Sequence, residues 1–281
     1  MIIGPITRDR IIKKNKSYNT VGGPVYYQAA VFSQFKIDNT VVTTLASGDA
    51  ELLKRFYEPS KIIAIYKDRT MEFENIYPDN NPNHRTQKSR IPKNPINPSD
   101  FDGIDPDNFD ALLISPLSPY DIPLKTLKFL SKQGKPIYLG AQGYLRHRNG
   151  NDIFLKSWKN YDKYLKLIDF LFLDELEARI ILSNNNGDCG DIARSLTFFG
   201  PEEVIITRGD LGAIIYSQRT DLIYDIPAIP PKKLLDPTGL GDTFMAAYAL
   251  RKMETINPTS CGKFAAQISS LKMEREGAFR I

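Results

Sequence analysis

The chain has 281 residues, 42% hydrophobic and 25% charged, enough for a sizeable core in one large α/β domain or two small ones. Its formal net charge is +4, with Lys and Arg spread along the chain and not massed in one stripe, which argues against nucleic acid as a partner. Two distant cysteines, Cys189 and Cys261, and two histidines, His84 and His147, make no Cys/His zinc site.

No segment resembles a membrane span, and the N-terminus lacks an apolar run followed by a small-residue cleavage site. A cytoplasmic protein is the expectation. Near the start, "YYQAAVFSQF" places Tyr27, Val31 and Phe35 at helical spacing. "TVVTTL" (40–45) and "KIIAIY" (61–66) read as strands. Residues 67–108 are rich in Pro, Asn and charge, and within them "MEFENIY" (71–77) partly alternates apolar with polar, as a half-exposed antiparallel strand does. We expect the strands at 40–45, 61–66 and 71–77 to form part of a small sheet outside the main core, either a lid that excludes water from a site or a surface β-excursion with no role.

Farther along, "DALLIS" (110–115), "PIYLG" (136–140), "IDFLFL" (168–173), "EVIIT" (203–207) and "GAIIY" (212–216) read as strands. Helices fall between several of them. One runs from near Pro123 to Gly134, and another from a cap at Asp188 to a stop at Gly200. This alternation, with continuous apolar strands, predicts a mainly parallel sheet covered on both faces. Ligands of such sheets bind at the C-terminal strand ends.

The stretch "LLDPTGLGDTF" (234–244) stands just before the helix "MAAYALRKM". Gly239 and Gly241 permit positive φ and close approach of a ligand. The first N–H groups of the helix have no partner within it, and with the helix dipole they form an anion site. The stretch is neither a Walker A loop nor G-x-G-x-x-G. Asp242, in the first turn, would repel a bound anion. That placement suits a carboxylate that meets an incoming hydroxyl and accepts its proton as it attacks.

These residues carry a resemblance to the ribokinase or PfkB family of carbohydrate kinases. The family signature D-[TP]-[TV]-G-A-G-D-[ST]-F is matched by "DPTGLGDTF" except at Leu240. "TVGGPVYYQAAVF" (20–32) resembles the motif whose paired glycines, here Gly22 and Gly23, contact the acceptor. "GPITRDRII" (4–12) resembles the strand end whose Asp, here Asp9, bonds acceptor hydroxyls. "ITRGDLGAIIY" (206–216) is similar to the nucleotide-side stretch, with Thr207, Gly209 and Gly212 in the matching places. "LDELEARIIL" (173–182) resembles the N-x-x-E element that organises hydrated Mg²⁺, with Glu177 matching and Asp174 in the Asn position. "YLGAQGYLR" (138–146) resembles D-x-Q-G-x-x-R of a subgroup that includes inositol-type kinases, with Gln142 and Arg146 matching and Gly140 in place of Asp. The tail "FAAQISSLKMEREGAF" is similar to the ending that closes the adenine pocket.

The resemblance implies a ribokinase-like three-layer α/β/α sandwich, a single domain over residues 1–281 with a β lid from strands within about 10–20 and 40–77. It implies ATP-dependent phosphorylation of a small sugar or inositol-like polyol. Asp242 would be the base, with the N–H groups of Gly239, Leu240 and Gly241 on the γ-phosphate. Thr207, Gly209, Gly212, Asp236 and Thr238 would serve the donor; Asp9, Gly22, Gly23 and Gln142 the acceptor; Glu177 and Asp174 the Mg²⁺. Asp236 could also bond backbone N–H groups and hold the turn. A homodimer through the lid stays open. So do a nucleoside kinase, with Tyr26, Tyr27 and Gln28 at a base, and a non-catalytic ligand-binding member, the reading favoured by Gly140, Asp174 and Leu240.

Overall fold

Continuous apolar runs become buried strands, and the longest helices cover them. The computed structural model describes residues 1–13, 16–77, 86–150, 152–183 and 187–281; His84 and residues 14–15 of the expected lid lie outside the described residues. The chain opens with β1 (Ile2–Ile3), β2 (Thr7–Lys13), β3 (Lys16–Gly22), α1 (Pro24–Gln34), β4 (Thr40–Ala46), β5 (Lys61–Lys67), β6 (Met71–Tyr77) and β7 (Thr86–Arg90). There follow β8 (Leu112–Ile114), α2 (Leu124–Ser131), β9 (Ile137–Gly140), α3 (Gln142–Leu145), β10 (Arg146–Asn149), β11 (Asp152–Leu155), α4 (Tyr161–Leu165) and β12 (Phe170–Asp174). The last part holds α5 (Glu175–Ile181), α6 (Cys189–Thr197), β13 (Glu203–Thr207), β14 (Ala213–Ser217), β15 (Leu222–Ile226), α7 (Leu240–Lys252) and α8 (Pro258–Met273).

The main sheet has the order β15-β14-β13-β12-β9-β8-β1-β4-β5. It is parallel from β5 to β13, and only β14 and β15 run antiparallel to their neighbours. One core cluster joins α1, α7 and α8 to one face, and a second joins α2, α5 and α6 to the other. This is the expected three-layer α/β/α arrangement, with parallel strands dry on both sides. The predicted helix boundaries have local causes: Pro123 sits at the N-cap of α2, and Asp188 caps α6 by accepting from the Gly190 N–H at 2.7 Å. Among the described residues no helix is long and apolar enough to cross a membrane.

A second sheet has the order β10-β11-β7-β6-β2-β3. Its strands alternate: in β6, Met71, Phe73, Asn75 and Tyr77 are buried while the residues between them are not. The grouping expected from sequence needs correction here. Of the three segments assigned to a small sheet, only 71–77 belongs to it; 40–46 and 61–67 pair in parallel within the main sheet, next to β1. The reason is visible in β4, where five consecutive residues, Val41–Leu45, are buried, as a strand covered on both faces requires. The hairpin β10–β11 completes the small sheet from a polar segment that had shown no strand pattern.

A buried ion pair ties α7 to the main sheet. The Glu203 side chain, at the start of β13, is 1% exposed; Lys252 Nζ lies 2.7 Å from its Oε1, and the Tyr248 hydroxyl donates to its Oε2 at 2.7 Å. Removing one partner of such a pair strands a buried charge. Lys252→Met is therefore expected to lower unfolding free energy by about 3 kcal/mol, and the double variant Lys252→Met/Glu203→Gln to regain most of that loss, as read by urea denaturation.

Candidate active site

The C-terminal ends of β9, β12 and β13 meet the N-terminus of α7 beneath the small sheet. There they enclose a cavity of about 280 Å³. Gly239, Leu240, Gly241 and Asp242 line it from α7, Thr207 from β13, and Asp174 and Glu177 from the junction of β12 and α5. The opposite wall holds Thr7 and Asp9 of β2, Gly23, Phe73 and Asn75 of β6, Gln87 of β7, Gln142 and Arg146.

The entry of α7 follows from one glycine. Gly239 is the N-cap, in the left-handed region at φ 73°, and a Cβ there would collide with the Tyr27 ring. Having no side chain, it caps nothing. The Thr243 N–H makes the first bond of the helix, to the Gly239 carbonyl at 2.9 Å, and the Leu240 N–H has only the Pro237 carbonyl at 3.4 Å. The Gly241 and Asp242 N–H groups fall in the first turn, where a helix offers no acceptor. A Cβ on Gly241 would meet no atom within 4 Å, so this amide borders open space. Free amides and the dipole together make an anion cradle.

Asp236 holds the loop that precedes the cradle. Its Oδ1 accepts from the Thr238 N–H and its Oδ2 from the Gly277 N–H, both at 2.9 Å. Burial raises its pKa, but Lys272 and those two N–H groups outweigh burial and keep the carboxyl below its usual range. It lies outside the lining of the cavity, on the loop's far side. Thr238 lines both faces of the loop.

Asp242 projects into the cleft. Burial raises its pKa to about 6, against the pull of Arg146 and Lys272; at neutral pH it is an ionised base, more basic than an exposed carboxylate. Asp174 and Glu177 form a capping box on α5: Glu177 N–H donates to Asp174 Oδ1 at 2.7 Å, and Asp174 N–H to Glu177 Oε2 at 3.0 Å. Asp and Asn are about equal at an N-cap, so Asp174 keeps the local structure that Asn would give. Glu177 is 4% exposed, and burial, with the neighbouring Asp174 charge, raises its pKa. Among the described residues no group of three or more His, Cys, Asp or Glu could hold a metal ion. Two hard carboxylates still suit Mg²⁺, which keeps several waters and takes other ligands from phosphates.

On the opposite wall, Asp9 is 5% exposed and accepts from the Thr7 hydroxyl at 2.6 Å. Gly22 does not line the cleft; a Cβ there would strike the Asp9 carboxylate, so its absence makes room for that group. Gly23, at φ 93°, caps α1 and does reach the cavity. Gly209 and Gly212 stand outside the lining. Gly212 has its own backbone reason: φ is 86°, and a Cβ would run into the Ile226 carbonyl.

Three lining or supporting groups were not anticipated as site residues. Asn75 and Gln87 come from the small sheet and are joined by a Gln87 Nε2 to Asn75 Oδ1 bond of 2.8 Å. The alternation of "MEFENIY" puts an amide on the same face as Met71 and Phe73, which is the available signal. Lys272, behind the cradle, lies in the quoted tail "SLKMEREGAF" but reads there as an ordinary helix charge.

Residues 118–280 match the pfkB family carbohydrate kinase pattern, and the chain belongs to that family. A nucleoside kinase of Methanothermobacter thermautotrophicus is 32% identical over 128 residues, 46% of this chain. The match spans only 39% of that protein's length. Among solved structures, a pyrophosphate-dependent kinase in the ribokinase family, complexed with a pyrophosphate analog and myo-inositol, superposes with a TM-score of 0.85 at 24% identity, covering 99% of this chain and 96% of its own. Arabidopsis thaliana ribokinase, complexed with ribose and ATP, gives 0.75 at 18% identity, covering 99% and 93%. Both share the fold.

The two loop glycines should respond differently to alanine. Gly239→Ala is expected to cost about 1–3 kcal/mol, because it adds backbone strain and a clash with Tyr27, whereas Gly241→Ala, which meets open space, should stay within about 0.5 kcal/mol of wild type. Thermal denaturation of the two variants checks this.

Proposed function

We propose that the protein transfers a terminal phosphoryl group from a polyphosphate donor to a hydroxyl of a small polyhydroxyl compound, an inositol-like polyol or a sugar. One observation carries this reading: Asp242, with its raised pKa, stands in the same first turn of α7 as the uncapped amides and lines the same cavity. The Gly239, Leu240 and Gly241 N–H groups would hold the phosphoryl oxygens as charge spreads over them. Asp242 would orient the acceptor hydroxyl and take its proton. Asp9, Asn75, Gln87 and Gln142 supply hydrogen-bonding groups for the remaining hydroxyls. The small sheet acts as a lid that keeps competing water away. Asp174 and Glu177 would hold hydrated Mg²⁺, which supplies charge neutralisation along the donor's phosphates when bound.

A nucleoside acceptor is supported by the similarity to an archaeal nucleoside kinase. The geometry favours the polyol. Gln28 is fully buried and donates to the Ser115 hydroxyl at 2.7 Å, and Tyr26 does not line the cleft. Tyr27 does line it, but its ring is engaged by Gly239 and lies 5.5 Å from Lys272 Nζ, so little of its face is left for a base. The donor is ATP, or pyrophosphate as in the structural neighbour named above; both end in the phosphoryl group that the cradle fits.

Purified protein with Mg²⁺ should phosphorylate inositol or a sugar in preference to adenosine or cytidine, with ATP and pyrophosphate assayed in parallel. No transfer to any of these acceptors from either donor would leave the ligand-binding reading. Asp242→Asn should reduce kcat by about 10²–10⁴-fold while donor binding persists. Wild-type turnover should fall as pH drops through about 6, since the base must be unprotonated.

The same group gives a stability signature of opposite sense. A folded pKa of about 6, above the ordinary carboxylate value, means that ionisation opposes folding. The cost is absent below pH about 4 and complete above pH about 6. Asp242→Asn should therefore melt higher than wild type above pH 6, by about 1–2 kcal/mol, and the advantage should vanish toward pH 4 in a pH series of melting curves.

A further inference from the structure

Lys272 is a charged side chain with 0% exposure. Its Nζ donates to the Asp236 carbonyl at 2.8 Å, lies 3.4 Å from Asp236 Oδ2, and sits 5.5 Å from the centre of the Tyr27 ring. Tyr27 is the ring against which Gly239 packs. One ammonium thus touches Asp236, whose carboxylate fixes the Thr238 amide, and the ring that shapes the N-cap of α7. The neighbouring backbone is tied to the same helix end, since the Leu235 N–H donates to the Met273 carbonyl at 3.0 Å. An aliphatic side chain would fill this place without desolvating a charge. Desolvation lowers the Lys272 pKa, and Asp236 and Asp242 work in the opposite direction.

The charges of the proposed reaction supply the reason for a cation here. A phosphoryl donor would bring negative charge to amides that already stand beside Asp242, with Asp174 and Glu177 across the same cavity. Arg146 is the lining cation on the opposite side. We propose that Lys272 is a built-in counter-cation of the phosphate loop, a positioning residue that fixes Asp236 and Thr238 in place and offsets the donor's charge from behind. This rests on the phosphoryl-transfer reading.

A second cavity, of about 480 Å³, lies on the far side of the loop and is lined by Asp236, Pro237, Thr238, Tyr27 and Gly277. It borders Asp236 and Tyr27, the groups that Lys272 contacts, so a small cation offered to a truncated Lys272 has open space next to those groups.

The test uses the full chain with Lys272→Met, Lys272→Ala and Lys272→Arg, each assayed with the donor that wild type accepts. Lys272→Met should lower kcat/KM for the donor by roughly 10²-fold and leave the acceptor KM unchanged. Ammonium or methylammonium should restore part of the lost kcat/KM in Lys272→Ala, tetramethylammonium should not, and Lys272→Arg should retain more activity than Lys272→Met. Donor kcat/KM within about twofold of wild type in Lys272→Met, or a Lys272→Ala variant that no ammonium ion improves, overturns the proposal. If Lys272→Met does not fold, the rescue series on Lys272→Ala decides. If wild type itself shows no turnover, the kinase reading fails separately, and thermal shift with sulfate decides this one: sulfate should stabilise wild type and not Lys272→Met, and equal stabilisation of both refutes it.

Discussion

The unpaired amides at the start of α7 are the constraint on which the rest of the site depends. A helix normally satisfies some of its first N–H groups with a capping side chain, and α5, α6 and α8 do so through Asp174, Asp188 and Asn257. Of the helices that open onto the cavity, α5 is capped in this way, whereas α1 and α7 begin with Gly23 and Gly239, which have no side chain to offer. Their stability comes from elsewhere. In α7 every residue from Thr243 to Leu250 is buried, and in α1 every residue from Pro24 to Ser33. Tertiary packing holds these helices so firmly that their N-termini can stay open for a ligand.

Open amides alone would bind any anion. The carboxylates of Asp174, Glu177 and Asp242 stand around them and oppose an anion. Asp242 and Glu177 have raised pKa values, burial being the first cause for both, and each sits within electrostatic reach of Arg146. Their ionised forms are costly in the empty protein and become less so once a cation enters. The cavity therefore gives up stability to keep basic oxygen atoms next to the open amides of α7.

Much of this was readable where the chemistry is local. Residues 236–242 hold the turn acid, the flexible glycines and the first-turn carboxylate within seven consecutive positions, so one window of sequence contains the whole entry of α7. The strands β12 and β13 showed themselves as short apolar runs between capped helices. The grouping of 40–46 and 61–67 was not legible, because the strand that recruits them, β1, is two residues long and leaves almost no pattern of its own. Asn75, Gln87 and Lys272 escaped for another reason. Each is an ordinary polar residue in its own segment, and only the topology brings it to the cleft. A buried Lys is especially hard to foresee, since Lys is almost always solvated.

The departures from the family pattern can now be weighed by place. Leu240 contributes its backbone at the start of α7, and Asp174 preserves the cap of α5. Gly140 is different. It lines the cavity, and a Cβ there would reach ordinary contact distance from Ser115 Oγ and Met245 Sδ, 3.5 and 3.6 Å. With no side chain at this position, the floor of the cleft offers the acceptor less polar surface. In the proposed reaction, recognition of the acceptor shifts to Asp9 on β2 and to the amides of Asn75 and Gln87. Those three belong to one sheet, β2 pairing in parallel with β6, and β6 in antiparallel with β7. Acceptor choice is then a property of the small sheet, while the main sheet and α7 fix the chemistry, and substitutions on the two sides should separate the two functions.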